Sequence, residues 1–432
     1  MTAGTATARI RVGLLGCGTV GADFARLLVD RRAAVEDVTG ISLELVRIAV
    51  RDPRKPRPEA LDAELFTGDA YDVVKADDVD LVVELIGGTS AAGELVTTAL
   101  EAGKPVVTAN KELIAKAGPD LFAAADRAGV DLFFEAAAVA AVPILRPLRE
   151  SLLAEDVTRV VGIVNGTSNF MLTRMTADGL GFDEALAKAQ ELGYAEPDAS
   201  ADVDGADAAS KLAILASLAF NRAVVADDVG REGIVGLDRE DFELAARFGY
   251  DIKLLAVAER FPDGHAIGAQ VFPALIGRDH PLASVRDSFN AVFLTTSAAG
   301  ELMFYGHGAG PRPSASAILG DVTGAADQLL RGTHRRIPVG SPARLRPARD
   351  LVHSYYVRAD VEEAPGVLSE VTGVFARHGV SIRTVDQDGS ESRARIVFLT
   401  FPAPEHALDD ALEELRGLSR VRGVGRVLRI HK

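Results

Sequence analysis

The fold is decided near the start of the chain by Arg9-Ile10-Arg11-Val12-Gly13-Leu14-Leu15 and the six residues that follow, Gly16-Cys17-Gly18-Thr19-Val20-Gly21. The first run predicts a β-strand and the amphipathic segment 22–32 predicts a helix, so the order is strand, glycine turn, helix. In a dinucleotide-binding turn the first glycine makes the tight turn, the second lets the backbone approach a pyrophosphate, and the third lets the helix pack on the strand. The pattern predicts a dinucleotide site with its phosphates at the helix N-terminus, and a plain tight turn is the alternative.

The same alternation of strands and helices continues beyond this turn. Further apolar strands are predicted at 43–50, 81–86, 105–108 and 131–134. Such alternation is typical of an α/β fold with a parallel, doubly wound sheet. Because ligands of these sheets bind at the carboxyl ends of the strands, we expect residues 87–89 and 108–111 to lie near the cofactor.

The type of dinucleotide is indicated by the residues after the second strand. An NAD enzyme uses Asp or Glu there to bind the ribose 2′-hydroxyl, whereas an Arg accommodates the 2′-phosphate of NADP. Here Arg51 comes first, Asp52 follows, and the next basic residues are Arg54, Lys55 and Arg57. The basic residues favour NADP, with NAD as the alternative cofactor and a solvated, proline-stiffened loop as the alternative without a ligand.

Composition excludes several classes of protein. A chain of 432 residues suggests two to four domains, of which three is our expectation, and its net charge of −15 argues against nucleic-acid binding. The single cysteine, Cys17, excludes an internal disulfide and suits a reducing cytosol. Neither a secretory signal nor an apolar run of about 18 residues is found, so we expect a cytoplasmic protein with no membrane partner.

A second informative stretch runs from Gly193 to Phe220 and is acidic before it is apolar. From Asp207 onward it predicts a helix in which Asp207 and Lys211 share the face of Ile214 and Leu218. The pair is either a stabilising i, i+4 ion pair or, because the face points inward, part of a site for proton transfer. The stretch alone leaves both interpretations open.

Other positions also combine a structural and a functional interpretation. Lys111 begins a predicted helix, where a cation opposes the helix dipole, so it is either a site residue or a side chain that reaches water. Glu135, followed by small residues up to Val142, indicates either a hard-cation site or alanine-rich packing. The turn 165–169 predicts a cap, by Thr167 or Ser168, for a helix that starts near Phe170.

The last third of the chain contains a glycine loop, a linker and a further module. Residues 304–311 hold three glycines around His307, which is either a proton carrier or a solvated loop histidine. A helix at 314–330 is predicted to return to the first domain, and 331–349 is typical of a linker. Residues 350–432 predict strand, helix, strand, strand, helix, strand in a separate module.

Together these motifs resemble homoserine dehydrogenases that carry a C-terminal ACT domain. The matching motifs are Gly193-Tyr194-Ala195-Glu196-Pro197-Asp198 with Asp207 and Lys211, the turn 16–21, Thr108-Ala109-Asn110-Lys111, Asn165-Gly166-Thr167, and Tyr305-Gly306-His307-Gly308-Ala309-Gly310. The resemblance implies a Rossmann domain at 1–140 with a returning segment at 311–335, an α+β catalytic and dimerisation domain at 141–310, and a ferredoxin-like ACT domain at 350–432. It also implies a homodimer or a dimer of dimers.

The resemblance implies NAD(P)-dependent interconversion of L-homoserine and L-aspartate 4-semialdehyde, on the route to threonine, methionine and isoleucine. Lys211 then matches the proton donor, Lys111 a lysine between nicotinamide and substrate, and Glu196 and Asp207 the substrate-binding carboxylates. The matching cofactor contacts are Gly16, Gly18, Thr19, Val20, Gly21, Arg51, Lys111, Gly193 and Gly310. An amino-acid substrate brings an ammonium that needs a carboxylate, and a developing alkoxide needs an acid, which agrees with these roles.

The resemblance also implies a sodium ion held at Glu135, Ala138, Ala140 and Val142. Here Ala138, Val139 and Ala140 replace the family's Val, Ala and Gly, so Ala140 would be strained if the family's glycine takes a positive φ. The ACT domain implies an amino-acid effector, for which threonine is the hypothesis. Two other functions remain: a catalytically degenerate sensor of NADP and an amino acid, and an NADP oxidoreductase for another small substrate.

Overall fold

The structure is a computed structural model, which describes residues 7–55, 61–261, 266–390 and 393–431. Arg57, one of the basic residues predicted near the cofactor, lies outside the described residues. The strands, in chain order, are β1 Ala8–Leu15, β2 Ile41–Ala49, β3 Phe66–Thr67, β4 Leu81–Glu84, β5 Val106–Thr108, β6 Leu132–Phe133, β7 Val157–Ile163, β8 Gly230–Arg231, β9 Tyr250–Arg260, β10 Ala266–Gly277, β11 Phe289–Thr296, β12 Glu301–His307, β13 Arg344–Leu345, β14 Val352–Val361, β15 Ile382–Ser390, β16 Arg393–Thr400, β17 Ala403–Pro404 and β18 Val421–His431. The helices are α1 Thr19–Thr39, α2 Tyr71–Val74, α3 Ser90–Glu101, α4 Lys111–Ala128, α5 Leu145–Arg149, α6 Gly166–Asp178, α7 Phe182–Glu191, α8 Ser200–Val203, α9 Ala206–Phe220, α10 Arg239–Arg247, α11 Pro311–Arg331, α12 Val367–Arg377 and α13 Glu405–Gly417.

The chain divides into two compact units. The first comprises residues 1–160, 210–228 and 290–343, and the second comprises 161–209, 229–289 and 344–432. Each unit brings together segments that are distant in sequence, because a hydrophobic core must be covered from several sides.

The first unit contains a sheet with the order β3-β2-β1-β4-β5-β6, in which the pairings are parallel. The prediction of a parallel, doubly wound sheet is therefore confirmed. The order reverses between β1 and β4, and such a reversal opens a crevice at the carboxyl ends of the strands. The glycine turn follows β1 and lies at this crevice.

Helix α11 belongs to the same unit. Its buried residues Ala315, Ile318 and Val322 pack in one hydrophobic cluster with Phe24 and Leu28 of α1. The helix begins at Pro311, directly after Gly310, and ends with Gly332 in the left-handed conformation. Proline after the N-cap and glycine after the last turn are the usual signals for helix ends.

The second unit contains the strands of the C-terminal module. These strands lie side by side in the order β18-β14-β16-β15, and each neighbouring pair is antiparallel. Helices α12 and α13 pack on one face of these four strands. If the module's strands are counted along the chain, the order is fourth, first, third, second, and the prediction of a ferredoxin-like module is confirmed.

The module shares a sheet with the rest of its unit. Strand β18 pairs in parallel with β10, so that Ala274 lies opposite Arg429. Arg358 of β14 is 8 % exposed and its guanidinium lies 3.0 Å from Asp238, 3.1 Å from Glu240 and 3.1 Å from Asp241. We call these four side chains the charged junction. Sequence patterns did not indicate it, because Arg358 lies 118 residues from Glu240 along the chain.

Candidate functional site

The three glycines of the turn after β1 have three different environments. Gly16 has a φ of 93°, and a Cβ there would lie 2.7 Å from the carbonyl oxygen of Leu85. A Cβ on Gly21 would lie 2.2 Å from the carbonyl oxygen of Gly16, whereas one on Gly18 would meet no described atom within 4 Å. The first glycine therefore forms the turn and the second leaves open space for a ligand. The third allows close packing of the helix, as the motif requires.

Helix α1 begins at Thr19 without a side-chain cap at Gly18. Backbone N–H groups in the first turn of a helix have no partner within the helix, and together with the helix dipole they form an anion-binding site. Cys17 is buried in this turn, which agrees with a small packing residue. The turn offers the geometry that a dinucleotide pyrophosphate needs.

Basic residues follow β2 at the same edge of the sheet. The side chains of Arg51, Arg54 and Lys55 are exposed, and Asp52 Oδ1 accepts a hydrogen bond from the backbone N–H of Arg54. The loop is thus positively charged and accessible to an anion.

A buried carboxylate joins the ends of β4 and β5. Glu84 is fully buried; its Oε1 accepts the N–H groups of Ile86 and Gly87, and its Oε2 accepts the hydroxyl of Thr108 at 2.6 Å. Asn110 donates from Nδ2 to the carbonyl of Gly88. The loops 87–89 and 108–111, which the topology predicted to converge, are in contact.

Glu84 was not predicted from the sequence, although a signal was present. It is the charged residue within the apolar strand Leu81–Glu84 and its continuation, Leu85 and Ile86. A carboxylate in such a strand is expected to bind nearby N–H or O–H groups, since burial without partners is costly.

Lys111 is the first residue of α4, as predicted, and its side chain is half-buried. The N-cap is Asn110, whose side chain accepts the N–H of Leu113. Since Glu84 holds Thr108 and Asn110 donates to the carbonyl of Gly88, the backbone at the start of α4 has a fixed position beside the Gly87–Gly88 loop.

Helix α9 carries the two charged residues that the sequence placed on its inward face. Asp207 is 8 % exposed and Lys211 is 7 % exposed, and they are one helical turn apart. The prediction that this face points inward is confirmed. Both side chains are thus removed from an exposed helix surface.

The turn before α6 holds Asp207 and the loop that carries Glu196. The helix begins at Gly166 and its cap is Asn165, so the predicted cap by Thr167 or Ser168 and the predicted start near Phe170 are wrong. Asn165 Nδ2 donates to Asp207 Oδ2 at 2.8 Å, and the Thr167 hydroxyl donates to the carbonyl of Tyr194 at 2.6 Å. A cap needs an acceptor at the residue just before the first helical one, which here is the asparagine.

The loop after α7 is open at its surface. Gly193 has a φ of 75°, and the side chain of Glu196 is exposed. Gln190 donates from Nε2 to the carbonyl oxygens of Glu196 and Pro197, at 3.2 and 3.3 Å. The backbone of the loop is fixed while the carboxylate of Glu196 remains accessible.

Glu135 is engaged by its own chain. Its carboxylate accepts the backbone N–H groups of Ile144, Leu145 and Arg146 at 2.7 to 2.8 Å, at the start of α5. Burial is the main cause that raises the pKa of Glu135, and burial likewise raises the pKa of the neighbouring Asp321 to about 7. The carboxylate of Glu135 is therefore committed to the helix N-terminus.

The run after Glu135 is strained where the sequence suggested it. Ala140 has a φ of 40°, a region that favours glycine. No described residue donates a hydrogen bond to the carbonyl oxygen of Ala138, Ala140 or Val142, although all three residues are buried. Buried carbonyls without a donor are rare and suit a cation with oxygen ligands. Within the described part of the chain, no group of three or more His, Cys, Asp or Glu residues could hold a metal ion.

The glycine loop before α11 packs tightly on a buried amide. His307 is exposed, and its carbonyl accepts the N–H of Ala141. A Cβ on Gly308 would lie 2.1 Å from the amide of Asn290, which is fully buried and has no hydrogen-bond partner among the described residues. Only glycine fits at position 308.

These features define a dinucleotide-binding protein of the Rossmann class with an additional C-terminal ferredoxin-like module. Among the described residues, no helix is both long enough and apolar enough to cross a membrane. Comparison with known proteins identifies the family more closely.

Three family models match consecutive parts of the chain. They are "Homoserine dehydrogenase, NAD binding domain" over residues 16–135, "Homoserine dehydrogenase" over 143–323 and "ACT domain" over 355–420. The homoserine dehydrogenase of Corynebacterium glutamicum is 45 % identical over 98 % of this chain and 96 % of its own length. The chain belongs to the homoserine dehydrogenase family and is an oxidoreductase that binds a nicotinamide dinucleotide.

Solved structures agree with this assignment. The homoserine dehydrogenase of Thiobacillus denitrificans has a TM-score of 0.92 and 38 % identity, with 98 % of both chains covered. A hyperthermophilic archaeal homoserine dehydrogenase in complex with NADPH has a TM-score of 0.63 and 27 % identity, with 74 % of this chain and 98 % of that chain covered.

Proposed function

We propose that the chain catalyses the reversible reduction of L-aspartate 4-semialdehyde to L-homoserine with NADPH. The observation that carries the proposal is the pair Asp207 and Lys211, both more than 90 % buried and one turn apart on α9. A buried carboxylate can bind a cationic substrate group, and a buried amine one turn away can, in its protonated form, donate a proton to an oxygen.

In the reduction direction each proposed residue has one task. NADPH held at the glycine turn 16–21 would supply the hydride for the aldehyde carbon. Lys211 gives a proton to the aldehyde oxygen as it becomes an alkoxide, so that the product is the alcohol. Lys111 stabilises the developing negative charge, and the carboxylates of Glu196 and Asp207 bind the ammonium of the substrate.

The test is NADPH oxidation with aspartate semialdehyde in wild type and in Lys211→Ala. We expect the variant to lose about 10²- to 10⁴-fold in kcat, the range of a general acid. Lys188→Ala, which removes an exposed lysine of α7, is the matched control and should retain activity. Full activity of Lys211→Ala would refute the assigned role, and inactive wild type that still binds NADPH would favour a sensor.

The preference for NADP over NAD is proposed from Arg51 and its basic neighbours at the end of β2. The structure of the archaeal relative in complex with NADPH supports it. Arg51→Ala should lower kcat/KM for NADPH about ten-fold and leave kcat/KM for NADH nearly unchanged, because only NADPH carries the 2′-phosphate. Equal losses with the two cofactors would contradict the proposal.

The buried, donor-free carbonyls of Ala138, Ala140 and Val142 fit a sodium ion, as does the main chain at Glu135. The carboxylate of Glu135 does not belong to this donor set, since it accepts three N–H groups. We propose that the ion stabilises this loop. Replacing sodium by a bulky organic cation should then lower the thermal midpoint of the unliganded protein, and an unchanged midpoint would argue against the site.

We propose feedback inhibition by threonine at the ACT domain, in the pathway to threonine, methionine and isoleucine. Inhibition by added threonine should vanish when residues 350–432 are deleted, and persisting inhibition would exclude this site. Because the deletion also removes Arg358 from buried Asp241, threonine binding to the intact chain must be measured in parallel. We further propose that the protein is cytoplasmic, forms a homodimer or a dimer of dimers, and has domains at 1–140, 141–310 and 350–432. Light scattering tests the oligomeric state through the molecular mass in solution.

A further inference from the structure

Asn165 makes more contacts than a helix cap requires. Its side chain is 4 % exposed, and its Oδ1 accepts the N–H of Ser168 at 2.8 Å. Serine, threonine or aspartate would cap the helix about equally well. The cap therefore does not explain why the residue is asparagine.

The amide nitrogen explains the choice. Nδ2 donates to Asp202 Oδ1 at 2.7 Å and to Asp207 Oδ2 at 2.8 Å. An NH₂ group has two hydrogens, so each carboxylate receives one. Among short side chains, only asparagine combines an acceptor for the helix N–H with two donors for carboxylates.

Both carboxylates accept from this one amide. A neutral donor holds two anions in place without adding a cation that would compete with an ammonium ligand.

Adjacent residues of the same turn fix the segments that carry these groups. The Ser168 hydroxyl donates to the carbonyl of Asp202 at 2.7 Å, and the Thr167 hydroxyl holds the carbonyl of Tyr194, two residues before Glu196. The turn 165–168 therefore connects three segments that bear carboxylates.

We propose that Asn165 is a positioning residue for the substrate, which orients the carboxylates of Asp207 and Asp202 so that they select a substrate with a free ammonium group. The inference rests on the proposed function of the chain. It adds Asn165 and Asp202 to the residues that determine specificity.

The test is Asn165→Asp in the full-length protein. The substitution preserves shape and the helix cap, but it replaces two donors by a third carboxylate. We expect KM for aspartate semialdehyde to rise about ten- to hundred-fold at about pH 8, while KM for NADPH changes less than about two-fold. As the pH falls the defect should shrink, because a protonated carboxyl group can again donate one hydrogen bond.

Thr176→Ala is the matched control. It removes a hydroxyl hydrogen bond of the same helix, from Thr176 to the carbonyl of Leu172, and leaves the contacts of the turn 165–168, so KM should stay within about two-fold of wild type. If Asn165→Asp does not fold, Asn165→Ser replaces it, since serine keeps the cap and offers a single donor.

The outcomes separate the two proposals. Active wild type with an unchanged KM in the folded Asn165 variant overturns the positioning role, as does a loss equal for both substrates and independent of pH. Inactive wild type overturns the proposed function itself.

Discussion

The glycine turn after β1 and the charged junction around Arg358 solve opposite problems of close packing. In the turn, side chains are removed so that backbone can approach backbone, as at Gly16 and Gly21. In the junction, the guanidinium of Arg358 is buried and paired with carboxylates, of which that of Asp241 is fully buried. The turn is built by residues adjacent in sequence, whereas Arg358 lies 120 residues from Asp238.

The two regions therefore differ in their sensitivity to substitution. A close backbone approach, as at Gly16 and Gly21, is damaged by an added atom, even a neutral one. A buried ion pair is damaged by the loss of one charge, because the remaining charge has no water to stabilise it. Five substitutions test this difference.

The largest effect is expected from Arg358→Met. It leaves the buried carboxylate of Asp241 without its cation, and breaking a buried pair costs about 3 to 5 kcal/mol of unfolding free energy. Urea unfolding measures the loss. The double variant with Asp241→Asn should recover part of it, since the neutral amide needs no cation, and a purely additive result would show that the two residues are not coupled.

The next effect concerns pH. Burial raises the pKa of Asp241 to about 6, above its ordinary value of 3.8, so its protonated form is favoured in the folded state. This stabilisation is complete below about pH 4 and is lost as the pH rises through about 6, on the order of 2 to 3 kcal/mol. The free energy of unfolding of wild type minus that of Asp241→Asn should therefore decrease as the pH rises from about 4 to above 6. A difference that does not change with pH would contradict the raised pKa of Asp241.

A smaller effect distinguishes two glycines of the turn. Gly21→Ala should destabilise the fold by about 1 to 3 kcal/mol, because its Cβ would overlap the carbonyl of Gly16. Gly18→Ala faces open space and should cost less than about 1 kcal/mol, yet weaken NADPH binding about ten-fold. Thermal unfolding without cofactor and NADPH titration give the two numbers. Equal stability losses would mean that the glycines are not specialised.

The smallest effect is expected from Arg247→Ala. Arg247 pairs with Asp386 at 2.8 Å, but both side chains are substantially exposed, 49 % and 34 %. Such surface pairs contribute about 0 to 1 kcal/mol. A loss comparable to that of Arg358→Met would show that burial is not what makes the junction sensitive.

Local sequence patterns were sufficient for much of the candidate site. The glycine spacing, the inward face of Asp207 and Lys211, and the helix start at Lys111 each depend on neighbours within a few residues, and the structure has all three. The cap at Asn165 was missed because several polar residues in one turn are equally good caps by type. Its contact with Asp202 and Asp207 depends on how the chain returns to that turn.

The order of strands and helices, the dinucleotide turn and the family could be predicted from the sequence alone, because they follow from side-chain periodicity and from glycines that tolerate close approach. Three contacts appear only in the tertiary structure: Glu84 joins two loops, Asn165 holds two carboxylates, and β18 pairs with β10. The physical reason is that a buried polar group must find its partner in space, and the partner's distance along the chain does not limit that choice.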